Sequence, residues 1–95
     1  MTRLFLAIDL GAESGRAVLG RYAEGRLSLE QIHRFPNVLL PLNGRLYWDF
    51  YGLLSEVNRS LSLCAASGAS GLESLAVDTW GVDFGLLARD GTLLG

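Results

Sequence analysis

The stretch from Leu4 to Tyr22 leaves this chain little freedom. Leu4-Phe5-Leu6-Ala7-Ile8 is a continuous apolar run that ends on Asp9. Such a run, closed by a carboxylate, reads as a buried central strand. Gly11-Ala12-Glu13-Ser14-Gly15 follows as a turn of mostly small residues, and Arg16 to Tyr22 reads as a second strand. So short a connection cannot cross over a sheet, so the two strands must form an antiparallel hairpin.

A third strand is expected over Arg26–Phe35, after the turn Ala23-Glu24-Gly25. Its apolar phase changes partway, with Leu27 and Leu29 on one face and Ile32 on the other, which calls for a bulge near Glu30-Gln31. Pro36 to Asn43 reads as a loop closed by Asn43-Gly44, and Arg45 to Trp48 as a short extended stretch. Asp49 suits a helix N-cap. Beyond it Phe50, Leu53, Leu54, Val57, Leu61, Cys64 and Ala65 recur at helical spacing, and Ser67-Gly68 ends the helix. Leu72 to Asp78 is a fourth strand, Thr79-Trp80-Gly81 a bend and Val82 to Ala88 a fifth strand. Asp90-Gly91 turns into a further stretch at the end of the chain.

A helical crossover returns the fourth strand parallel to the first. The expected architecture is therefore α/β with a mixed sheet in the order 3-2-1-4-5, Asp9 and Asp78 lying together at the carboxyl ends of neighbouring strands. Ligands of such sheets bind beyond those ends. Two carboxylates there pack poorly but suit Mg²⁺, a hard cation that keeps several waters. In the adjoining turn, Gly11, Ala12 and Gly15 allow close backbone approach, and successive N–H groups make an anion-binding concavity to which the Ser14 hydroxyl adds a donor. A carboxylate-held cation beside an N–H cradle is what phosphoryl transfer needs. A hairpin follows the glycines where a dinucleotide fingerprint has a helix, and the Gly-Lys-Ser/Thr of a P-loop is missing.

Composition narrows the partners. Of 95 residues 49% are apolar, which supports a packed core. Net charge is −2 with no basic run, so no nucleic-acid partner is expected. The first apolar run stops at Asp9, too early for a membrane span, and no membrane partner is expected. Cys64 is the single cysteine and reads as a small core residue. A cytoplasmic location fits these features.

Asp9-Leu10-Gly11-Ala12-Glu13-Ser14-Gly15-Arg16 resembles the first phosphate motif of the FGGY carbohydrate kinases. Asp78-Thr79-Trp80-Gly81-Val82-Asp83-Phe84 is the more specific segment, and with Ile32-His33-Arg34-Phe35 and Trp48-Asp49 it resembles one ketose-phosphorylating branch of that family. The resemblance implies an RNase H-like first domain of the actin/hexokinase/Hsp70 type, with residues 1–95 as its N-terminal part and truncated. It also implies transfer of the ATP γ-phosphoryl group to a sugar's primary hydroxyl. Carried over by position, Gly11, Ala12, Glu13, Ser14, Gly15 and Arg16 contact nucleotide phosphates, Asp9 acts through Mg²⁺ and water, and Gly81 touches the sugar, with Trp80 and Asp83 as further sugar contacts. Asp78 is the second metal candidate. The family commonly has a hydroxyl residue at the position of Glu13, so the Glu13 side chain is expected to point away while its N–H serves. The family's catalytic aspartate and adenosine pocket lie further along such enzymes, so the 95 residues alone are expected to be inactive. Strand five and the stretch after Asp90-Gly91, with Leu86, Leu87, Leu93 and Leu94, present an unpaired edge and bare apolar surface, so the 95 residues alone are also expected to self-associate.

Simpler roles are weighed for the other conspicuous residues. His33 reads as structural, Trp48 as packing under the loop and Asp83 as a solvent-facing strand residue. Trp80 suits core and sugar pocket equally. Two other functions stay open: a kinase for another ketose or polyol, and a non-catalytic nucleotide-binding or assembly module of the same fold.

Overall fold

The computed structural model describes every residue except 70 and 82. Strand β1 (Arg3–Leu10) and strand β2 (Ser14–Ala23) form the expected antiparallel hairpin, tighter than anticipated because Ser14 and Gly15 already belong to β2. Strand β3 (Arg26–Pro36) pairs antiparallel with β2. Ala17 faces His33 and Val18 faces Gln31, so Ile32 is the extra residue of a bulge. The bulge carries out the phase change legible in the sequence: Leu27 and Leu29 are exposed on one face, and Ile32 packs against the core on the other.

Residues 36–43 are not simply a loop. Strand β4 (Leu39–Leu42) and strand β5 (Arg45–Trp48) form a separate two-stranded hairpin. Asn43 and Gly44 both take positive φ (51° and 73°), as a two-residue hairpin turn demands. Helix α1 (Phe50–Ala66) starts where expected: the Asp49 carboxylate accepts a hydrogen bond from the Gly52 N–H at 3.0 Å. A side chain at Gly52 would run into that carboxylate. Ser67 caps the other end.

Strand β6 (Leu72–Thr79) returns parallel to β1. The sheet order is β3-β2-β1-β6, which corrects the expected 3-2-1-4-5. Leu72–Thr79 does neighbour β1, but it is the sixth strand because the β4–β5 hairpin precedes it. No fifth strand joins it among the described residues. Val82 lies outside them, Asp83 to Gly85 are irregular, and β7 (Leu86–Leu87) pairs only with β8 (Leu93–Leu94). The Asp90-Gly91 turn, with the Ala88 N–H bonded to the Thr92 carbonyl at 2.8 Å, folds this segment on itself.

One sheet face is covered and the other open. Leu6, Ile8, Ala17, Leu19 and Cys64 form the core, flanked by Leu4, Leu10, Ile32, Val57, Leu61 and Leu72. The helix buries Ser60 and Cys64, not the whole expected stripe: Phe50, Leu54 and Ala65 are exposed. Ser60 tolerates burial because its hydroxyl donates to the Glu56 carbonyl at 2.9 Å. His33 is structural as expected, bonded to Glu56 at 3.3 Å and packed on Phe35.

Candidate functional site

The parallel register sets Asp9 beside Asp78 and Leu10 beside Thr79. Thr79 Oγ1 donates to the Leu10 carbonyl at 3.1 Å, tying the two carboxyl ends together. On its other side Asp9 faces Arg16, and Arg16 faces Arg34. Direct cross-strand partners share a face, so Asp78, Asp9, Arg16 and Arg34 make one charged row across all four strands. Arg16 binds Asp9 Oδ2 through Nη1 at 3.1 Å and the Ser14 hydroxyl through Nη2 at 2.9 Å.

The Asp78 carboxyl is held above the ordinary carboxylate value. The leading cause is a hydrogen bond shared with Asp9; some desolvation and the Asp9 negative charge add to it, and Arg16 opposes it. Two adjacent carboxylates sharing one guanidinium thus make Asp78 easier to protonate than a lone carboxyl. No group of three or more His, Cys, Asp or Glu side chains is placed to hold a metal among the described residues. The pair thus suits an ion that keeps most of its waters, as Mg²⁺ does, and not one that needs a protein cage.

The hairpin turn beside the pair is drawn tight. The Gly11 N–H donates to the Ser14 carbonyl at 3.1 Å, and a Cβ on Gly11 would lie 2.5 Å from that oxygen. Gly15 has Phe35 against it, with no room for a side chain. Glu13 is exposed. Asn37 holds the turn from behind, its Nδ2 donating to the Gly11 carbonyl at 3.0 Å and its backbone N–H to the Glu13 carbonyl at 2.9 Å. Sequence reasoning missed Asn37. The contact spans 26 positions, and only the register of β3 against β2 brings it about.

The residues expected to meet the sugar stand apart from this row. Trp80 and Asp83 line a cleft with Leu10, Trp48, Thr79 and Phe84. Trp48 was expected to pack under a loop, and its ring meets that of Trp80 at 4.5 Å, tilted by 51°. Asp83 accepts from the Phe84 N–H at 2.9 Å, and Gly81 is exposed with open space around its Cα.

Comparison with known proteins adds to this geometry. No protein-family model matches the chain. Curated relatives do: the rhamnulokinase of Bacteroides thetaiotaomicron is 51% identical over 94 residues, and that of Mannheimia succiniciproducens 43% identical over 91. These alignments take in 99% and 94% of the chain.

In sequence the chain matches the rhamnulokinases.

The chain spans about a fifth of the length of these rhamnulokinases, 19% in each case. The ketose-kinase branch singled out by the Asp78–Phe84 segment is this one. In three dimensions the chain also resembles the PPX-GPPA enzyme of Aquifex aeolicus, with a TM-score of 0.64, 18% identity, and coverage of 83% of this chain and 27% of that one. A likeness at that identity speaks for the fold alone, a mixed α/β sheet as expected from the sequence. No helix among the described residues is long and apolar enough to cross a membrane.

Proposed function

We propose that the chain forms the first part of an ATP-dependent rhamnulokinase, an FGGY-type cytoplasmic enzyme that converts ATP and L-rhamnulose to ADP and L-rhamnulose 1-phosphate. The observation that carries this reading is the in-register pairing of Asp9 with Asp78 beside the Gly11–Ser14 turn. Kinship with rhamnulokinases supports the substrate assignment.

Asp9 and Asp78 would hold Mg²⁺ through its waters. Bound there, the ion would supply positive charge to offset phosphate charge in the transition state. The turn from Gly11 to Arg16 binds the phosphates. Arg16, already bridging Asp9 and Ser14, is poised to exchange a carboxylate partner for a phosphate oxygen. The cleft between Trp48, Trp80 and Asp83 takes the sugar: apolar rings pack against its C–H faces and the carboxylate accepts from its hydroxyls.

In the reaction the primary hydroxyl oxygen attacks the γ-phosphorus as the bond to the β-phosphate oxygen of ADP breaks, and the hydroxyl proton passes to a base. Asp9 and Asp78 are committed to the cation, and Asp83, the carboxylate that lines the cleft among the described residues, lies outside the phosphate turn. The 95 residues alone are therefore inactive.

The test is ADP release by the protein carried to the length of its relatives, assayed with a panel of ketoses and polyols. Mg²⁺-dependent release with L-rhamnulose above all others is the expected result. Preference for another sugar would reassign the substrate, and ATP binding with no sugar-dependent turnover would favour a non-catalytic module.

A further inference from the structure

Asn37 is buried to 9% exposure, yet it belongs to no hydrophobic cluster and lies outside the charged row. Both of its nitrogens are spent on the turn between β1 and β2, one on the Gly11 carbonyl and one on the Glu13 carbonyl. Its Oδ1 is buried and has no hydrogen-bond partner among the described residues. A buried carboxamide with an idle oxygen is costly compared with an apolar side chain, so what Asn37 does is done through its donors.

Those two bonds decide which way the turn's N–H groups face. No cis peptide occurs among the described residues, and in a trans peptide the C=O and the next N–H point in opposite directions. Fixing the Gly11 carbonyl toward Asn37 turns the Ala12 N–H away from it. Fixing the Glu13 carbonyl does the same for the Ser14 N–H. The Gly11 N–H is unavailable, since the Ser14 carbonyl takes it. Of the six residues expected at the phosphates, Ala12 and Ser14 thus have backbone donors that an outside contact aims.

We propose that Asn37 is a positioning residue for phosphate binding: from the end of β3 it locks the Gly11–Ala12 and Glu13–Ser14 peptides so that the Ala12 and Ser14 N–H groups face the polyphosphate of the nucleotide. The inference rests on the kinase reading above and adds to it a residue from outside the phosphate motif. It also fits the tightness of the turn, where the donors are set before the ligand arrives and no ordering cost falls on binding.

The test uses the protein at the length of its relatives, with ATP and pyrophosphate as probes. In Asn37→Asp the shape is kept but the side-chain donor is lost. Dissociation constants for both probes should rise about tenfold, equivalent to about 1.4 kcal/mol, while L-rhamnulose affinity stays within about twofold. A purely structural role would weaken sugar and nucleotide together, in step with the melting temperature, and that outcome overturns the proposal. So does unchanged ATP affinity in a folded variant. A measurement on the unaltered protein covers the case of a variant that misfolds. On saturation with pyrophosphate, the Ala12 and Ser14 amide protons should move downfield in NMR spectra and the Gly11 amide should not. An equal shift at Gly11, or none at Ala12 and Ser14, overturns the latch alone. Absence of any binding by the unaltered protein overturns the nucleotide reading and the latch with it.

Discussion

Asp9 and Asp78 are direct cross-strand partners at the carboxyl ends of two parallel strands, although 69 positions apart, and the closeness of Asp9, through hydrogen bonding first and its charge besides, raises the Asp78 carboxyl above its ordinary value. The helical crossover sets that separation, and the register of β6 against β1 closes it.

The raised Asp78 titration gives a pH dependence of known sign. A carboxyl whose folded value lies above its unfolded value favours folding while protonated, and loses that contribution as pH rises through the folded value. Metal-free protein should therefore gain stability at this site as pH falls through the Asp78 titration. Asp78→Asn should melt higher than the unaltered protein at neutral pH and no higher in acid, where Asp78 is already protonated. Thermal melts of the two proteins across that range, without divalent cations, check this.

Gly11→Val should weaken ATP binding in a protein that still folds. A Cβ there meets the Ser14 carbonyl at 2.5 Å, so the turn must open and misalign its donors. The Gly11 φ is not positive, so the cost is crowding and not backbone strain. Calorimetric titration with ATP measures the loss.

The helix cap offers a prediction independent of function. Asp49→Ala removes the acceptor for the Gly52 N–H and should cost about 1 kcal/mol of stability. Denaturant unfolding reads it directly, and the midpoint should fall with the slope unchanged.

Much of this architecture is legible in the sequence because its signals are local. Asp49 and Ser67 mark the helix ends within a residue, and the phase shift from Leu29 to Ile32 announces the bulge. The β4–β5 hairpin was hidden by Pro36 and Pro41, which read as loop. Pro41 is tolerated because a two-stranded hairpin has free edges on both sides. The segment from Val82 to Ala88 reads as a strand, yet among the described residues no strand of the main sheet lies beside it, and there Leu86 and Leu87 pair with the hairpin's own other arm. At the site, Asp9, Asp78 and the turn were readable because each sits on a strong local pattern. Asn37 was not, since its role exists only once β3 lies against β2. Trp48 was underrated for the same reason, its contact with Trp80 being long-range.

The 95-residue chain should self-associate. Strand β6 is exposed along almost its whole length, and Leu75 and Val77 on it are 48% and 47% exposed. Leu86, Leu87 and Leu94 are more exposed still. The radius of gyration is 15.8 Å, against about 12 Å for a compact chain of this length. An unpaired edge next to uncovered apolar surface invites another copy. Light scattering at micromolar concentration checks this, and a sharply monomeric, cooperatively folding species would contradict it.

Steady-state kinetics of Asp9→Ala, in the protein at the length of its relatives, shows whether the Asp9–Asp78 pair positions a cation for phosphoryl transfer. Stabilisation that grows only in the transition state appears in the maximal rate. In this variant kcat should fall by about 10²-fold or more while the KM for L-rhamnulose changes little. Near-normal turnover, or an equal loss expressed wholly in the sugar KM, would remove Asp9 from the chemistry and leave the Asp9–Asp78 pair without a catalytic role.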